Sequence, residues 1–358
     1  MVEEVHIIIQ EHRADLSKCA ASTELPASTA NRPSRDTGLV STIIPVYNRA
    51  IMLKEAVASV LEQAYRPIEI IIIDDGSNDE TASVADALAN ANSKEISVIH
   101  QSNTGPGLAR EAGRQRARGE FIQYLDSDDV LLPNKFELQV SGLRSNPQCA
   151  VSYGKTRYRD ADGNVAPSAW KGTGDKVDEM FPGFLLSRWW DTPTPLYRAS
   201  ICKQAGPWTD LRLEEDWEYD CRIASLGVRL HYCDEFVVEV RDHNQNRLCK
   251  GAALDAQRLR ERARAHSLIL KHARKADLAE DSPEMQHFAR ELFLLSRQCG
   301  AAGLARESKE LFNLAKDASG EQRSKAWDFK LYGFLASVAG WTRLGKIACY
   351  SDTIRNER

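Results

Sequence analysis

Three carboxylates at the end of an apolar segment are the residues of this sequence whose types and spacing point most directly to chemistry. Phe121 to Leu125 is mostly apolar or β-favouring, and Asp126, Asp128 and Asp129 follow it at once. A buried strand that ends in acids carries charge to the rim of a sheet, where open α/β sheets bind ligands. Acids this close repel one another unless a cation or hydrogen-bond donors neutralise them. The pattern alone fits a divalent-ion site with oxygen ligands and a solvated turn equally well.

A second acidic motif and a proline-containing loop follow two further predicted strands. Ile68 to Ile73 is apolar almost throughout and runs into Asp74-Asp75-Gly76-Ser77, while the β-branched segment Leu39 to Ile44 runs into the loop Pro45 to Asn48. With helical spacing of apolar residues between the strands, residues 39 to 129 predict β-α-β-α-β-α-β and hence a doubly wound parallel sheet. The three loops are therefore expected at one edge of that sheet, where nucleotides bind.

The composition excludes several classes of protein. The chain has 358 residues, 42% of them hydrophobic, and a formal net charge of −4, so we expect two domains, or one large domain with an appendage, and no nucleic-acid partner. The eight cysteines form no Cys-x-x-Cys pair, no secretory signal is recognisable and no apolar run is long enough to span a bilayer, which predicts a cytoplasmic protein with free thiols. No glycine-rich phosphate loop follows the first strand, so dinucleotide dehydrogenases and P-loop NTPases fit poorly.

Four stretches, in this order and at this spacing, resemble the consecutive signatures of family 2 glycosyltransferases, which have the GT-A fold: STIIPVYNRA, EIIIIDDGSNDET, NTGPGLAREAG and GEFIQYLDSDD. The resemblance covers about residues 39 to 250. It implies an α/β fold with a GT-A-type doubly wound, mostly parallel sheet, made of a Rossmann-like nucleotide-binding half and an acceptor half. We expect a flexible extension over 1–37, a glycosyltransferase domain over 38–250 and an α-helical C-terminal region over 251–358.

The resemblance also implies which residues bind the nucleotide-sugar donor. Pro45 and Tyr47 would line the nucleoside pocket, and Asp75 would hydrogen-bond the base, commonly uracil. Arg110 matches a basic position near the nucleotide, although an arginine on the outer surface of a helix would account for it as well.

The Asp-x-Asp pair of the family matches Asp126 and Asp128. The resemblance places Asp126 near the ribose and Asp128 on a Mn²⁺ or Mg²⁺ ion that bridges the donor diphosphate, and Asp129 extends the motif. His243 belongs to an Arg-x-His motif whose histidine reaches the metal or the diphosphate in some members of the family. A structural histidine is the alternative.

The acceptor side is expected around a Glu-Asp motif and two tryptophans. Leu211 to Tyr219 resembles the motif of the family at a helix start, with Asp216 as the base that deprotonates the acceptor hydroxyl. Acids in a first helical turn are also ordinary partners of the helix dipole. Trp189 and Trp190 would suit a platform for the acceptor sugar, and the alternative, which we expect for at least one of them, is a place in the core.

From about residue 251 the sequence predicts helices. The apolar residues between 288 and 314 indicate a two-helix hairpin broken at Gly300 to Gly303. Leu331 to Tyr350 mixes aromatic and aliphatic residues with Lys330, Arg343 and Lys346. That composition suits a helix in peripheral contact with the inner membrane face, and equally a helix packed on its own domain.

The sequence as a whole predicts a metal-dependent, inverting glycosyltransferase. It would move a sugar from a nucleotide-sugar donor, expected to be UDP-linked, to a hydroxyl of a glycan or glycolipid acceptor in polysaccharide, glycan or glycolipid synthesis. Inversion and this setting are implied by the resemblance only. A non-catalytic binding module of the same fold is the alternative, although such a module is expected to lose the acids that this chain keeps. A sugar nucleotidyltransferase would need a glycine-rich basic loop where this chain has Pro45 to Asn48.

Overall fold

The described residues in the first two thirds of the chain form an eight-stranded mixed sheet. The computed structural model describes residues 35–242 and 252–356, with side-chain surroundings described to residue 351. The strands of this sheet are β1 Asp36–Val46, β2 Ile68–Asp74, β3 Ile96–His100, β4 Gly119–Tyr124, β5 Val130–Leu131, β6 Cys149–Arg159, β7 Leu196–Arg198 and β8 Arg229–Arg241. Their order across the sheet is β3-β2-β1-β4-β7-β6-β8-β5.

The helices between the strands cover this sheet. They are α1 Ala50–Leu61, α2 Thr81–Ala91, α3 Pro106–Arg116, α4 Lys135–Ser145, α5 Ala199–Ala205 and α6 Glu215–Ala224. The first four strands pair in parallel, β1 with β2 and β4 and β2 with β3, whereas β7 pairs antiparallel with both β4 and β6. Every residue of β2 is buried, as expected of a parallel strand covered on both faces. The predicted α/β architecture is confirmed.

Within residues 252–356, six further helices form the C-terminal region and confirm its predicted helical character: α7 Ala256–Lys275, α8 Pro283–Ala301, α9 Ala305–Ala318, α10 Gly320–Ser324, α11 Trp327–Ala339 and α12 Trp341–Asn356. The predicted hairpin is α8 and α9. The segment from Leu331 to Tyr350 is broken at Gly340, whose φ of 88° ends α11 in a conformation that glycine adopts without strain. The described residues from Asp36 onward form one compact unit.

The crossing of α8 and α12 is unusually close. A Cβ atom added at Gly345 would lie 2.6 Å from the backbone carbonyl carbon of Gly300 and 2.6 Å from the backbone nitrogen of Ala301. At Gly300 an added Cβ would lie 2.6 Å from the carbonyl oxygen of Trp341. The two helices therefore meet backbone against backbone, and glycine is required on both sides of the contact.

Lys135, the first residue of α4, is fully buried against the sheet. Its Nζ donates a hydrogen bond to the carbonyl oxygen of Thr194 (2.7 Å), and Nε2 of Gln139 donates to the same oxygen (3.1 Å). These bonds hold the segment that leads into β7. Burial lowers the pKa of Lys135 from 10.5 to about 7, because the charged form loses its hydration.

We expect Lys135→Met to stabilise the protein most at low pH. The unfolded chain binds more protons than the folded chain between pH 7 and 10.5, so the wild type gains stability as the pH rises through that window. Below about pH 7, Lys135 is charged in both states, and the full free-energy cost of burying that charge lowers the stability of the wild type. Each pKa unit corresponds to about 1.4 kcal/mol, which makes the penalty at pH 6 a few kcal/mol. Methionine removes the charge at similar volume, and Gln139 still donates to Thr194.

Thermal unfolding followed by circular dichroism at pH 6, 8 and 10 measures this effect. The increase in Tm should be largest at pH 6 and should shrink toward pH 10. Lys94→Met, at an exposed lysine, is the matched control and should show no such trend. A Lys135→Met variant that is less stable than the wild type at pH 6 would contradict the prediction.

Candidate active site

Among the described residues, a large cavity opens at the carboxyl ends of β1, β2 and β4 and at the start of α6. Its volume is about 1370 Å³. It is lined by seven of the residues that the sequence singles out: Pro45, Tyr47, Asp75, Arg110, Asp126, Asp128 and Asp216. The topology explains why the loops after β1, β2 and β4 meet, because parallel strands end at one edge of a sheet, whereas Arg110 comes from α3 and Asp216 from α6.

The loops after β1, β2 and β3 are fastened to one another. The backbone N–H of Asn48 donates to the Ser77 hydroxyl (3.0 Å), and the Asn48 side chain accepts from the backbone N–H of Asn78 (2.9 Å). Gly76 has a φ of 76°, and an added Cβ there would lie 2.8 Å from the backbone nitrogen of Asn103. Glycine is therefore needed for both the turn and the close approach of the next loop.

Asp75 is buried and organises the loop after β3. Its Oδ1 accepts hydrogen bonds from the Gln101 side chain (2.8 Å) and from the backbone N–H of Thr104 (2.9 Å), and its Oδ2 accepts from the backbone N–H of Gly105 (2.8 Å). The side chain nevertheless lines the cavity. A carboxylate oxygen can accept more than one hydrogen bond, so Oδ2 retains capacity for a ligand donor.

Arg110 joins the two acidic groups of the cavity. Its Nη2 donates to Oδ1 of Asp126 (2.7 Å) and its Nη1 donates to Oε1 of Glu215 (2.7 Å). The guanidinium also lies over the ring of Trp208, 5.0 Å from the centroid. Burial lowers the pKa of Arg110, but the charges of Asp126, Glu215 and Asp216 outweigh burial and raise it. The alternative of a surface arginine is wrong, because Arg110 is 3% exposed.

The acids after β4 have different surroundings. Asp126 and Asp128 are partly exposed and line the cavity, and Nη1 of Arg49 lies 3.6 Å from Oδ2 of Asp128. Asp129 is buried, and its Oδ1 accepts from the backbone N–H of Arg241 (3.1 Å). Burial, followed by the charges of Asp128 and Asp126, raises the pKa of Asp129 well above its ordinary value. Asp129 therefore helps to fix the turn, and Asp126 and Asp128 carry the charge that a ligand meets.

The carboxylates of Asp126 and Asp128 suit a hard divalent cation as ligands. Asp126 and Asp128 present carboxylate oxygens to the cavity, and Mg²⁺ usually binds proteins through one or two carboxylates with substrate phosphates as its other ligands. Among the described residues no group of three or more His, Cys, Asp and Glu side chains is arranged around one ion. An ion at this place would therefore need oxygen ligands from a phosphorylated substrate or water.

His243 lies outside the described residues, so its predicted role as a metal ligand stays a prediction. The arginine of the same motif is described. Nε of Arg241 donates to the backbone carbonyl oxygen of Asp128 (2.7 Å), and the guanidinium also pairs with Glu55. Arg241 thus holds the turn between Asp126 and Asp129 from the end of β8.

Asp216 lies in the first turn of α6 and is held by an arginine that sequence reasoning missed. Nη1 of Arg188 donates to Oδ2 of Asp216 (2.7 Å), and Nε of Arg188 donates to Oδ2 of Asp220 (2.8 Å). Burial raises the pKa of Asp216, but the charges of Arg188 and Arg110 outweigh burial and lower it below its ordinary value. The Asp216 carboxylate is therefore ionised at neutral pH and can accept a proton.

Glu215 behaves differently from its neighbour. Burial, followed by the charge of Asp216, raises the pKa of Glu215 to about 7, although Arg110 acts in the opposite direction. A pair of adjacent carboxyl groups whose pKa values are driven apart is typical of sites that use acids and bases. Here the ionised member is Asp216.

The two tryptophans do not line the cavity formed by the described residues. Trp190 is 0% exposed, and its indole N–H donates to Oδ2 of Asp220 (2.8 Å). Trp189 is partly buried and packs edge to face on Phe184, with centroids 5.1 Å apart. Trp190 is therefore a core residue, and stacking on an acceptor sugar is excluded for it. Its contact with Asp220 instead supports the arginine that holds Asp216.

The C-terminal region contributes to the same cavity, which the sequence did not indicate. Arg258 and Arg262 of α7 line it, and Nε of Arg262 donates to Oε1 of Glu214 (2.8 Å). Nδ1 of His266 lies 3.0 Å from Oε2 of Glu214. Glu214 immediately precedes α6 and has a φ of 60°, so α7 fixes the residue from which α6 starts.

Comparisons with known proteins agree with this architecture. Residues 41–201 match the sequence model of "Glycosyl transferase family 2". An uncharacterized glycosyltransferase of Haemophilus influenzae is 34% identical over 126 residues, which is 35% of this chain and 50% of that protein. The glycosyltransferase GlyG of Streptococcus pneumoniae serotype 4 is 35% identical over 127 residues, 35% of this chain and 42% of that protein. The match thus spans half or less of these two relatives.

Among solved structures, residues 1–349 of S. aureus TarS, crystallised with UDP-GlcNAc, superpose with a TM-score of 0.64 at 18% identity. The superposition covers 89% of this chain and 92% of that chain. At this identity the likeness concerns the fold, including the helical region that follows the sheet. The predicted GT-A-type fold class is confirmed.

Proposed function

Residues 41–201 match the model of glycosyl transferase family 2, and from this premise we propose that the protein transfers a sugar from a nucleotide-sugar donor to a hydroxyl group of a glycan or glycolipid acceptor. The observation that best supports this function is the Arg110 bridge. One buried guanidinium connects Asp126, on the donor side, with Glu215, which neighbours the candidate base Asp216. A donor and an acceptor bound to these acids would meet in one cavity.

The donor would lie along the strand ends. Pro45 and Tyr47 would contact the nucleoside, Asp75 would accept a hydrogen bond from the base, and Asp126 would lie near the ribose. We propose a UDP-linked donor because an acid in the position of Asp75 suits the N–H of uracil. The metal would bind to Asp128 and the diphosphate, with His243 as a further candidate ligand. When bound, Mn²⁺ or Mg²⁺ would supply a Lewis acid that offsets the negative charge of the departing diphosphate.

Asp216 would act on the acceptor. Its ionised carboxylate would take the proton of the attacking hydroxyl as that oxygen forms a bond to the anomeric carbon. The bond from that carbon to the diphosphate oxygen would break, and the electron pair would leave with the nucleoside diphosphate. Attack from the face opposite the leaving group would invert the anomeric configuration. Arg188 would keep Asp216 oriented through the step.

We propose the cytoplasm as the compartment in which the reaction takes place. The six described cysteines that form no disulfide support a reducing compartment such as the cytoplasm. Within the described residues no helix is long and apolar enough to cross a membrane. We propose polysaccharide, glycan or glycolipid synthesis as the process.

Donor binding provides the first test. A specific ligand at 100 times its Kd stabilises a folded protein by about 2.7 kcal/mol, so we expect one UDP-sugar in a panel of UDP-, GDP- and CMP-sugars to raise the Tm by several degrees in the presence of Mn²⁺. The same sugar nucleotide, incubated with glycan and glycolipid acceptors, should release UDP. Asp75→Ala should weaken the shift, whereas Asp79→Ala, on the neighbouring exposed loop, is the matched control and should leave it unchanged.

The outcomes separate the alternatives. No shift with any sugar nucleotide and no release of nucleoside diphosphate would contradict the proposal. A clear shift with no release for any acceptor would instead favour a non-catalytic binding module of the same fold.

A further inference from the structure

Helix α11 has apolar side chains on two opposite faces. Its inner face packs Phe329 and Tyr332 against Phe293 of α8, with ring centroids 5.5 Å and 5.0 Å apart. Phe312 of α9 joins the same aromatic cluster. A helix that is apolar all round is ordinarily buried all round, whereas α11 lies at the surface of the described chain. Its second face therefore needs an explanation.

The outer face of α11 is a continuous apolar stripe. We define it as Trp327, Leu331, Phe334, Leu335 and Val338, which recur at the i, i+4, i+7, i+8 and i+11 positions of a helix, and all of them are exposed. The exposed fractions of Trp327, Phe334 and Val338 are 74%, 64% and 72%. Ile347 and Tyr350 add exposed apolar area on α12. Isolated exposed apolar residues are common on protein surfaces, but a stripe of this length indicates a partner.

The charges beside the stripe are basic. Lys330, Arg343 and Lys346 are exposed on α11 and α12. The one acidic residue among the side chains described on these two helices is Asp328, whose carboxylate accepts a hydrogen bond from Arg323 (2.6 Å). The whole chain carries a formal net charge of −4, so the basic character is local to this face. Lysine and arginine at the flanks of an apolar helix face are typical of helices that lie in the interface of a bilayer.

A second copy of the chain is a poorer occupant. A two-fold symmetric dimer would place the stripe of one copy on the stripe of the other and would bring the same basic residues together, with like charges facing. A spanning helix is also a poor account, because no described helix is long and apolar enough to cross a membrane.

We propose that the outer face of α11 and the adjoining surface of α12 bind the surface of an anionic lipid bilayer. The stripe would enter the region between headgroups and acyl chains, and Lys330, Arg343 and Lys346 would contact the headgroup phosphates. This surface goes beyond sugar transfer and does not depend on it, since lipid binding requires neither donor nor acceptor.

Sedimentation with sucrose-loaded vesicles tests the proposal on the full-length protein. We expect binding to vesicles of phosphatidylcholine with 30% phosphatidylglycerol, and weaker binding to pure phosphatidylcholine, by about fivefold for each basic residue that reaches the surface. Phe334→Ser combined with Val338→Ser should lower the affinity for both kinds of vesicle at least about tenfold. Lys330→Glu combined with Lys346→Glu should lower it by at least about 25-fold on the anionic vesicles and little on the neutral ones.

Matched controls exclude a general effect of each substitution. Val165→Ser removes an exposed apolar residue from the sheet region, and Lys94→Glu reverses an exposed charge there, so neither should change sedimentation. Equal melting temperatures establish that each variant is folded.

Three results would overturn the proposal. The first is a wild-type protein that stays in the supernatant with anionic vesicles. The second is a stripe variant that binds as tightly as the wild type. The third is a wild-type dimer, measured by light scattering, that the stripe variant converts to a monomer, because the face would then be an interface between two copies.

Discussion

Replacing Asp216 by asparagine is expected to lower the turnover number for sugar transfer by about 10²–10⁴-fold, the range that general-base assistance contributes. Asparagine preserves the shape of the side chain, and its carbonyl oxygen can still accept the hydrogen bond from Arg188. The amide cannot take a proton from the acceptor hydroxyl. Donor affinity should stay nearly constant, since the change acts on a group that works in the transition state rather than on the bound donor.

Steady-state release of nucleoside diphosphate with the acceptor present, together with calorimetry of donor binding, measures the two effects separately. Glu215→Gln is the matched control, because it makes the same chemical change one residue earlier. In the wild type, a pKa of about 7 leaves Glu215 partly protonated at neutral pH, and one of its carboxylate oxygens accepts a hydrogen bond from Arg110. We therefore expect Glu215→Gln to lower the turnover number less than Asp216→Asn does. If Glu215→Gln lost the activity and Asp216→Asn kept it, the base would be Glu215.

Asp128→Ala is expected to abolish the gain in donor affinity that Mn²⁺ provides. Asp126 and Asp128 are the partly exposed carboxylates of the Asp-x-Asp turn, and a cation held by one or two carboxylates has few protein ligands to spare. Replacing even groups that support a metal ligand costs about 10–100-fold in metal affinity, so the loss of the ligand itself should exceed that range.

Calorimetry of the nucleotide sugar with Mn²⁺, and again with a chelator, measures this loss. Asp129→Asn is the matched control: it keeps an acceptor for the backbone N–H of Arg241, and it should retain most of the Mn²⁺-dependent affinity. His243→Ala should cost less than Asp128→Ala, since water or substrate oxygens can replace a lost ligand. Equal donor affinity of the wild type with Mn²⁺ and with chelator would disprove the metal mechanism.

The strands and the acids at their ends could be predicted from sequence because both depend on local patterns. A run such as Ile68 to Ile73 is apolar on both faces only when both faces are covered, and the carboxyl ends of parallel strands then converge by topology. Asp75, Asp126 and Asp128 consequently meet in one cavity although up to 53 positions separate them in the sequence. Helical spacing likewise predicted the hairpin of α8 and α9.

Contacts that depend on three-dimensional packing could not be predicted in this way. Arg188 reaches Asp216 across 28 residues, and its neighbour Trp190 turns inward to Asp220 instead of outward to a ligand. Neither orientation leaves a periodic trace in the sequence. The burial of Arg110 could not be predicted for a related reason. Helical spacing predicts on which face of the helix a residue lies, but whether a charged residue there can be buried depends on a partner distant in the sequence, in this case Glu215.

The backbone contact between α8 and α12 determines how stiffly the C-terminal surface is mounted. Layers of side chains can yield by changing rotamers, whereas the facing backbones at Gly300 and Gly345 leave nothing to yield. Helix α8 in turn packs on α7 through the stacked rings of Phe288 and His266, 5.5 Å between centroids. Because α7 also lines the cavity, the distance and the angle between the cavity mouth and a surface that α11 and α12 contact would be fixed. An acceptor attached to that surface could then react only if its hydroxyl group extended from the surface by that distance.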